Sequence, residues 1–533
     1  MNDSIPLAGT LSGMTRDDPR WNNLGYWNYE AARAYPDRIA LIDLSRSPVR
    51  EVRYRELEER LDRMASLVAR LGIKPGDRLA MSVSNRFEFV EIMFGAMRAG
   101  VVPVPLNTKL GPDTLDYVVR DAGCTAAIVE EAANEALPGI IDRIGCAVRI
   151  GFAPSGAGWL RYEEELRASA PRFTPQRLAD SHMSFLPYTS GSTGRPKGVV
   201  LSHAGQCWWV RCLSTHWPTS PEHRGLAAVP LYHKNAMAGA IKAMLSYGGS
   251  VVLLPNFSPR PFLEALSHYR CTHAGGVPAV FTLLLQERDL IESLDFSALV
   301  SMRIGSAPTP KELCDAVEAA FGVPVSESYG LTEGGPVMIG APVNGRAVPH
   351  GSCGVVWPEG EVKLVDSDGR DDPHYGELWV RNPGVTPGYY NLPEVNRARL
   401  KDGWLKTGDL FACDKEGFYY FKGRTDDMFK SGGESVYPLE VENILLKHPA
   451  VAEVSVVPVP HRIKGAVPVA MVVKARGREV SEEELKQYCL SNGPAYAHPR
   501  RITFVAELPL NGPGKIDRKI VERTLAQRFG TLG

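Results

Sequence analysis

Residues 54–129 alternate between two hydrophobic periods, and that alternation limits the folds open to this chain. Leu57, Leu61, Met64, Leu67 and Val68 recur at helical spacing over residues 54–71. Gly72 ends that helix, and Pro75-Gly76-Asp77 turns into an apolar run, Arg78–Val83. A second helix is predicted over Phe87–Ala99 and a strand over Val101–Pro105. Helix Thr114–Ala122 and strand Ala126–Val129 follow. Strands separated by single helices predict a parallel, doubly wound sheet.

A second cycle of the same kind runs from Leu226 to Gln286: strand Leu226–Pro230, helix Ala238–Tyr247, strand Ser250–Leu254, helix Pro261–Tyr269, strand Thr272–Gly276 and helix Val277–Gln286. Two α/β lobes leave a cleft between them, and ligands sit at the switch points of such sheets. From Gly351 onward turns and short β-runs dominate (Gly360–Val365, Gly376–Arg381, Gly417–Lys422), which predicts a small β subdomain. Beyond Arg424 a compact α+β unit is expected: helix Leu439–Lys447, strands Val451–Pro458 and Val467–Val473, helix Ser481–Ser491 and strand Arg501–Val505. A chain of 533 residues is too long for one core.

Between the two cycles lies Tyr188-Thr-Ser-Gly-Ser-Thr-Gly-Arg-Pro-Lys-Gly-Val-Val-Leu-Ser-His203. Gly191, Gly194 and Gly198 let the backbone bend and bring N–H groups close to an anion. Thr189, Ser190, Ser192 and Thr193 add hydroxyl donors, and Lys197 adds a point charge suited to phosphate. The loop differs from the P-loop, whose lysine follows glycine and precedes Ser or Thr; Lys197 follows Pro196 and precedes Gly198. Nor does it contain the G-x-G-x-x-G dinucleotide fingerprint. A polyphosphate is the guest these residues suit. Ser202 is placed to cap the helix that follows.

Composition narrows the partners. A net charge of −1 argues against nucleic acid or an anionic membrane surface. The nine cysteines are scattered without C-x-x-C spacing, so reduced thiols and a cytoplasmic protein are expected. Met1 to Arg20 carries no basic segment leading into an apolar core, and no apolar run is long enough to span a bilayer.

Four further motifs follow the loop: Ser328-Tyr-Gly-Leu-Thr-Glu333, Lys406-Thr-Gly-Asp-Leu410, Lys422-Gly-Arg-Thr-Asp-Asp427 and Pro509-Leu-Asn-Gly-Pro-Gly-Lys515. With residues 188–203 they resemble, in order, the motifs of the adenylate-forming superfamily of acyl- and aryl-CoA synthetases, peptide-synthetase adenylation domains and luciferases. The resemblance covers about residues 30–520. It implies an N-terminal adenylation domain, 1–425, and a mobile C-terminal domain, 426–533, turning about Asp426. It also implies an ATP-dependent ligase that makes an acyl-adenylate and passes the acyl group to coenzyme A.

In that reading Thr189, Ser190, Gly191, Ser192, Thr193, Gly194 and Lys197 hold the β- and γ-phosphates. Gly305, Ser306, Ala307 and Pro308 line one side of the adenine. Ser328, Tyr329 and Gly330 line the other, with Tyr329 offering its ring face. Thr332 contacts the α-phosphate. Glu333 and Thr193 are candidate Mg2+ ligands, because Mg2+ takes one or two carboxylates with phosphates and waters. Asp409 accepts from the ribose hydroxyls and Arg424 supports the same ribose.

Lys515 resembles the lysine that bridges carboxylate and α-phosphate, and His233 the histidine at the acid pocket. Tyr232, Asn235, Met237, Gly239, Gly330, Pro336 and Val337 are expected to complete that pocket. Lys430, Ser431, Gly432 and Gly433 would meet the thiol after domain rotation. Thr332-Glu-Gly-Gly-Pro-Val337 is similar to hydroxycinnamate–CoA ligases, which points to an aryl or phenylpropenoic acid. Medium-chain fatty acids are the alternative, and a non-catalytic nucleotide-binding protein is a third reading. A homodimer is compatible with the chain.

Overall fold

A computed structural model describes residues 14–533 apart from 155, 190–194, 218, 306–308, 310, 343–344 and 511–514, and leaves undescribed the side chains of 214, 215, 235, 336 and 337. The predicted stripe becomes helix Tyr54–Arg70, with Leu57, Leu61, Met64, Leu67 and Val68 fully buried. Strand Arg78–Ser82 and helix Phe87–Arg98 follow, as the period change requires. Strands Val102–Pro105, Arg78–Ser82, Cys124–Val129, Val148–Gly151 and Leu160–Arg161 lie side by side, all parallel, in a five-stranded sheet.

The second lobe is a nine-stranded sheet. Its parallel part runs Val325–Leu331, Ser301–Gly305, His273–Gly276, Arg224–Ala227, Ser250–Leu253, Ile39–Asp43. Arg50–Arg53 closes one edge and Gly335–Gly340 with Val355–Val356 the other, all antiparallel. Ile39–Asp43 is a departure from simple chain order, since a strand preceding the first lobe is built into the second. The order reverses between Arg224–Ala227 and His273–Gly276. That is a topological switch point, and the chain beyond Ala227 carries His233.

The two faces of this sheet enter different cores. Ala227, Val251 and Leu253 join one cluster with helix His203–His216. Leu226, Val252, Ala274, Met302 and Ile304 join the other. Ser202 caps helix His203–His216 by accepting from the Gly205 N–H. The small β subdomain is an antiparallel sheet of Glu361–Val365, Tyr375–Arg381, Trp404–Cys413, Leu400–Lys401 and Tyr419–Arg424. The C-terminal unit pairs Glu434–Val436, Phe429–Ser431, Gly465–Lys474 and Val451–His461, with Arg501–Val505 against Gly465–Lys474. Its apolar clusters draw only on residues from Phe429 onward.

The nine cysteines are free thiols, as expected. Among the described residues no helix is long and apolar enough to cross a membrane.

His203, fully buried, supplies a pH-dependent link in this fold. Its Nδ1 accepts from the Leu24 N–H at 2.9 Å, so that nitrogen carries no proton. Burial pushes its pKa down to about 3, with His182 adding repulsion. The folded state therefore excludes a proton that the unfolded chain takes up below about pH 6.5. The stability linked to His203 is complete above that pH and falls as pH drops toward 3. By pH 5 the loss is about 2 kcal/mol. Thermal melts from pH 7 to 5 should show a smaller acid-induced fall in His203→Asn, whose amide oxygen keeps the Leu24 bond. An identical fall in both proteins would contradict this.

Candidate active site

The two arms of the phosphate-type loop pair with each other as a separate two-stranded antiparallel sheet. Thr189 pairs with Lys197 and Tyr188 with Gly198, while Ser190, Gly191, Ser192, Thr193 and Gly194 lie outside the described residues. Tyr188 fixes the incoming arm by donating to Asp121 Oδ2 at 2.6 Å. The outgoing arm is stitched to residues 386–390: the Tyr390 N–H donates to the Gly198 carbonyl and the Val200 N–H to the Gly388 carbonyl. That segment also reaches Glu333. The Tyr389 hydroxyl donates to Glu333 Oε1 at 3.0 Å, and the Thr386 N–H donates to the Glu333 carbonyl at 2.6 Å. The Lys197 ammonium lies 5.9 Å from the Tyr389 ring centroid. Lys197 and the Glu333 carboxylate thus meet around one tyrosine, which sequence reasoning did not single out.

A second cluster forms where the β subdomain meets the large sheet. Asp409 stands in the long strand Trp404–Cys413, opposite Arg424 in the neighbouring strand. Arg424 Nη1 donates to Asp409 Oδ1 at 2.9 Å, and the Tyr329 hydroxyl donates to Oδ2 at 2.6 Å. Gly408 is in the left-handed region (φ +74°), and a Cβ there would meet Arg399 Nη1 at 2.7 Å, so the strand bend before Asp409 needs glycine. Asp409 is nearly buried; burial raises its pKa, and the Arg424 charge opposes the rise. Tyr329 packs edge-on against Phe411, which leaves its ring fixed. Ser328 pairs with Gly305 across parallel strands, so the two motifs share one end of the sheet. Ser306, Ala307 and Pro308 lie outside the described residues.

Lys515 adds a charge from the C-terminal unit to the second cluster. It follows strand Arg501–Val505 and precedes helix Arg518–Phe529, and a Leu510–Ile516 bridge closes its loop. The side chain keeps accessible surface, yet surrounding protein is dense enough to lower its pKa; Asp409 opposes that shift and Arg424 adds to it. Burial likewise pushes His233 down to about 4, and the Lys515 charge contributes. Lys515 therefore lies within electrostatic reach of Asp409, Arg424 and His233. Arg518 secures its helix by donating to Glu442 Oε2 at 2.6 Å and to the Val456 carbonyl.

Around the expected acid pocket, Tyr232 and His233 are half-buried, each with a buried polar atom (hydroxyl, Nε2) that has no hydrogen-bond partner among the described residues. Met237 is buried in the large core, Gly239 and Gly330 are half-buried, and the side chains of Asn235, Pro336 and Val337 are not described. Met237–Lys242 is wound as a π-helical segment, a feature that often marks functional sites. Lys234, part of a Lys-Asn pair that departs from hydroxycinnamate–CoA ligases and receives no role from the sequence, is buried, and its Nζ donates to the Thr332 carbonyl at 2.8 Å. It ties the pocket helix to the Thr332–Glu333 turn. Asp426 lies in the short turn Thr425–Asp427, 3.7 Å from Arg424. Lys430, Gly432 and Gly433 are exposed on the hairpin beyond it, and Ser431 is buried. Both glycines have positive φ, +61° and +93°.

Comparison with known proteins gives the family. Residues 29–390 match the AMP-binding enzyme family model, and 440–515 match the AMP-binding enzyme C-terminal domain. Feruloyl-CoA synthase of Amycolatopsis sp is 33% identical over 513 residues, covering 96% of this chain and 100% of that protein. The long-chain-fatty-acid–CoA ligase FadD13 of Mycobacterium tuberculosis is 30% identical over 516 residues, covering 94% and 98%. ATP-bound MatB from Rhodopseudomonas palustris superposes with a TM-score of 0.86 at 28% identity, covering 94% and 98%, whereas apo MatB gives 0.76.

The chain belongs to the AMP-binding, adenylate-forming enzyme family, among its acyl- and aryl-CoA ligases. ATP and CoA are the substrates expected of that class.

Proposed function

We propose that this enzyme joins an aromatic or phenylpropenoic acid, such as a hydroxycinnamate, to CoA. In the first step an oxygen of the acid attacks the α-phosphorus of ATP and the bond to pyrophosphate breaks. In the second, the CoA sulfur attacks the acyl carbon and the bond to AMP breaks. The observation that carries the reading is that Lys515, from the C-terminal unit, lies within electrostatic reach of Asp409, Arg424 and His233.

Lys515 there is a cationic donor at the bond being made, where negative charge gathers. Asp409 and Arg424 orient the ribose. Thr332 is the α-phosphate contact, and Lys197, Thr189 and the loop between them hold the departing pyrophosphate. One carboxylate, Glu333, beside a phosphate loop fits Mg2+, which prefers few protein ligands plus phosphate oxygens; Thr193 would add its hydroxyl. When bound there the ion supplies charge neutralisation to the phosphates. Residues 426–533 act as the moving domain, with Asp426 as pivot, and the Lys430–Gly433 turn faces the thiol after rotation.

The similarity to feruloyl-CoA synthase supports an aryl acid. A medium-chain fatty acid is the second reading; the similarity to a long-chain-fatty-acid ligase supports an aliphatic acid without favouring that chain length. AMP release dependent on CoA and ATP, measured with benzoate, cinnamate, ferulate and octanoate, separates the two. Ferulate or a related hydroxycinnamate should give the highest kcat/KM. Turnover of octanoate with no turnover of any aromatic acid would reject the aryl reading.

A further inference from the structure

Arg303 is an arginine inside a central parallel strand, where a charged side chain has a high desolvation cost. Strand Ser301–Gly305 has neighbours on both sides. Met302 and Ile304 face one core, so Arg303 and Gly305 face the other, the side of helix His203–His216. The guanidinium stacks on Trp217, just beyond the end of that helix, 3.5 Å from its ring centroid. Among the described residues it makes no hydrogen bond or ion pair. Burial lowers its pKa to about 9, with no carboxylate to offset the effect. Its charge also acts on His273, which burial chiefly pushes down to about 3 and so leaves uncharged at neutral pH.

A planar guanidinium held by an aromatic face, with its N–H donors open to a ligand, is preorganised for an oxygen acceptor. Room for one exists. Arg303 is only half-buried, so it borders a space. Its partner in the adjacent strand is Gly275, where a Cβ would lie 3.6 Å from the Arg303 Cβ; having none, it keeps the sheet surface beside the guanidinium low. Gly305 stands two residues further along the same face, about 7 Å toward the carboxyl end of the sheet. That end carries Ser328, Tyr329 and Gly330, and the switch-point loop there bears His233.

We propose that Arg303 binds an oxygen acceptor at the far end of the acid, and so selects acids bearing a distal hydroxyl or second carboxylate over those ending in carbon. The inference rests on the CoA-ligase reading above and adds the feature by which the acid is chosen.

The test uses matched acids that differ only at the far end, in two series. One is cinnamate, 4-hydroxycinnamate and 4-carboxycinnamate; the other is octanoate, 8-hydroxyoctanoate and octanedioate. Acid-dependent AMP release gives kcat/KM for each. The wild-type protein should favour an oxygen-bearing member over its plain parent by about 10- to 100-fold. Preference for the hydroxyl or the carboxylate member identifies the source of the oxygen. In Arg303→Met the ratio should collapse toward one, and Arg303→Lys should retain part of it. Equal wild-type efficiency within a series overturns the proposal without needing any variant to fold. An unchanged ratio in a folded Arg303→Met also overturns it. Turnover confined to the aliphatic series rejects the aryl reading but leaves Arg303 judged by the octanoate ratios. Turnover of neither series overturns both.

Discussion

Lys515→Ala lowers acyl-adenylate formation by about 10²- to 10³-fold, the usual cost of removing one preorganised donor from a developing negative charge. The same variant should convert a supplied acyl-adenylate and CoA to thioester within a few-fold of the wild-type rate. The asymmetry follows from position. Lys515 belongs to the C-terminal unit, yet its charge is felt by His233 of the large domain and responds to Asp409 and Arg424. In the proposed reading it stands where carboxylate and α-phosphate would meet. After adenylation no bond to phosphorus remains to be made, and the lysine has no part in thiol attack. Pyrophosphate exchange measures the first step, and thioester formation from synthetic adenylate the second. Equal loss in both would mean that Lys515 holds the fold together instead.

Asp409→Ala should lower kcat/KM for ATP by about 100-fold or more. Two contributions combine. The carboxylate is lost as a charged acceptor for the ribose, where each such bond is worth about 1.5–3 kcal/mol. Arg424 and the Tyr329 hydroxyl also lose their common partner, and both belong to the proposed nucleotide site. Asp409→Asn keeps the shape and one acceptor oxygen, so it should be the milder variant. Initial rates against ATP at saturating acid decide the matter. A change confined to KM for the acid would place Asp409 outside the nucleotide site.

Much of the architecture is legible in the chain because periodic burial is a local property. Helix Tyr54–Arg70 and strand Arg501–Val505 fall where their apolar spacing puts them. Ile39–Asp43 illustrates the limit: its pairing with Ser250–Leu253 depends on contacts over two hundred residues away, which no window of sequence contains. Asp409 follows Gly408, a pattern that also suits a turn, yet it lies within a ten-residue strand whose bend the glycine permits. Tyr389 was missed because an aromatic residue in a Gly-Tyr-Tyr run carries no signal of its contact with Glu333. Arg303 was missed for a related reason. Alternation predicts which residues share its face, but the stacking on Trp217 appears only in three dimensions, as does the lack of an ion-pair partner among the described residues.

The measurement that tests the central claim most directly is the fate of ATP labelled at the α-phosphate, incubated with CoA and the preferred acid. The label should appear in AMP, one for each thioester and each pyrophosphate formed, and an acyl-adenylate should accumulate when CoA is left out. Label recovered in ADP, with inorganic phosphate in place of pyrophosphate, would contradict the account.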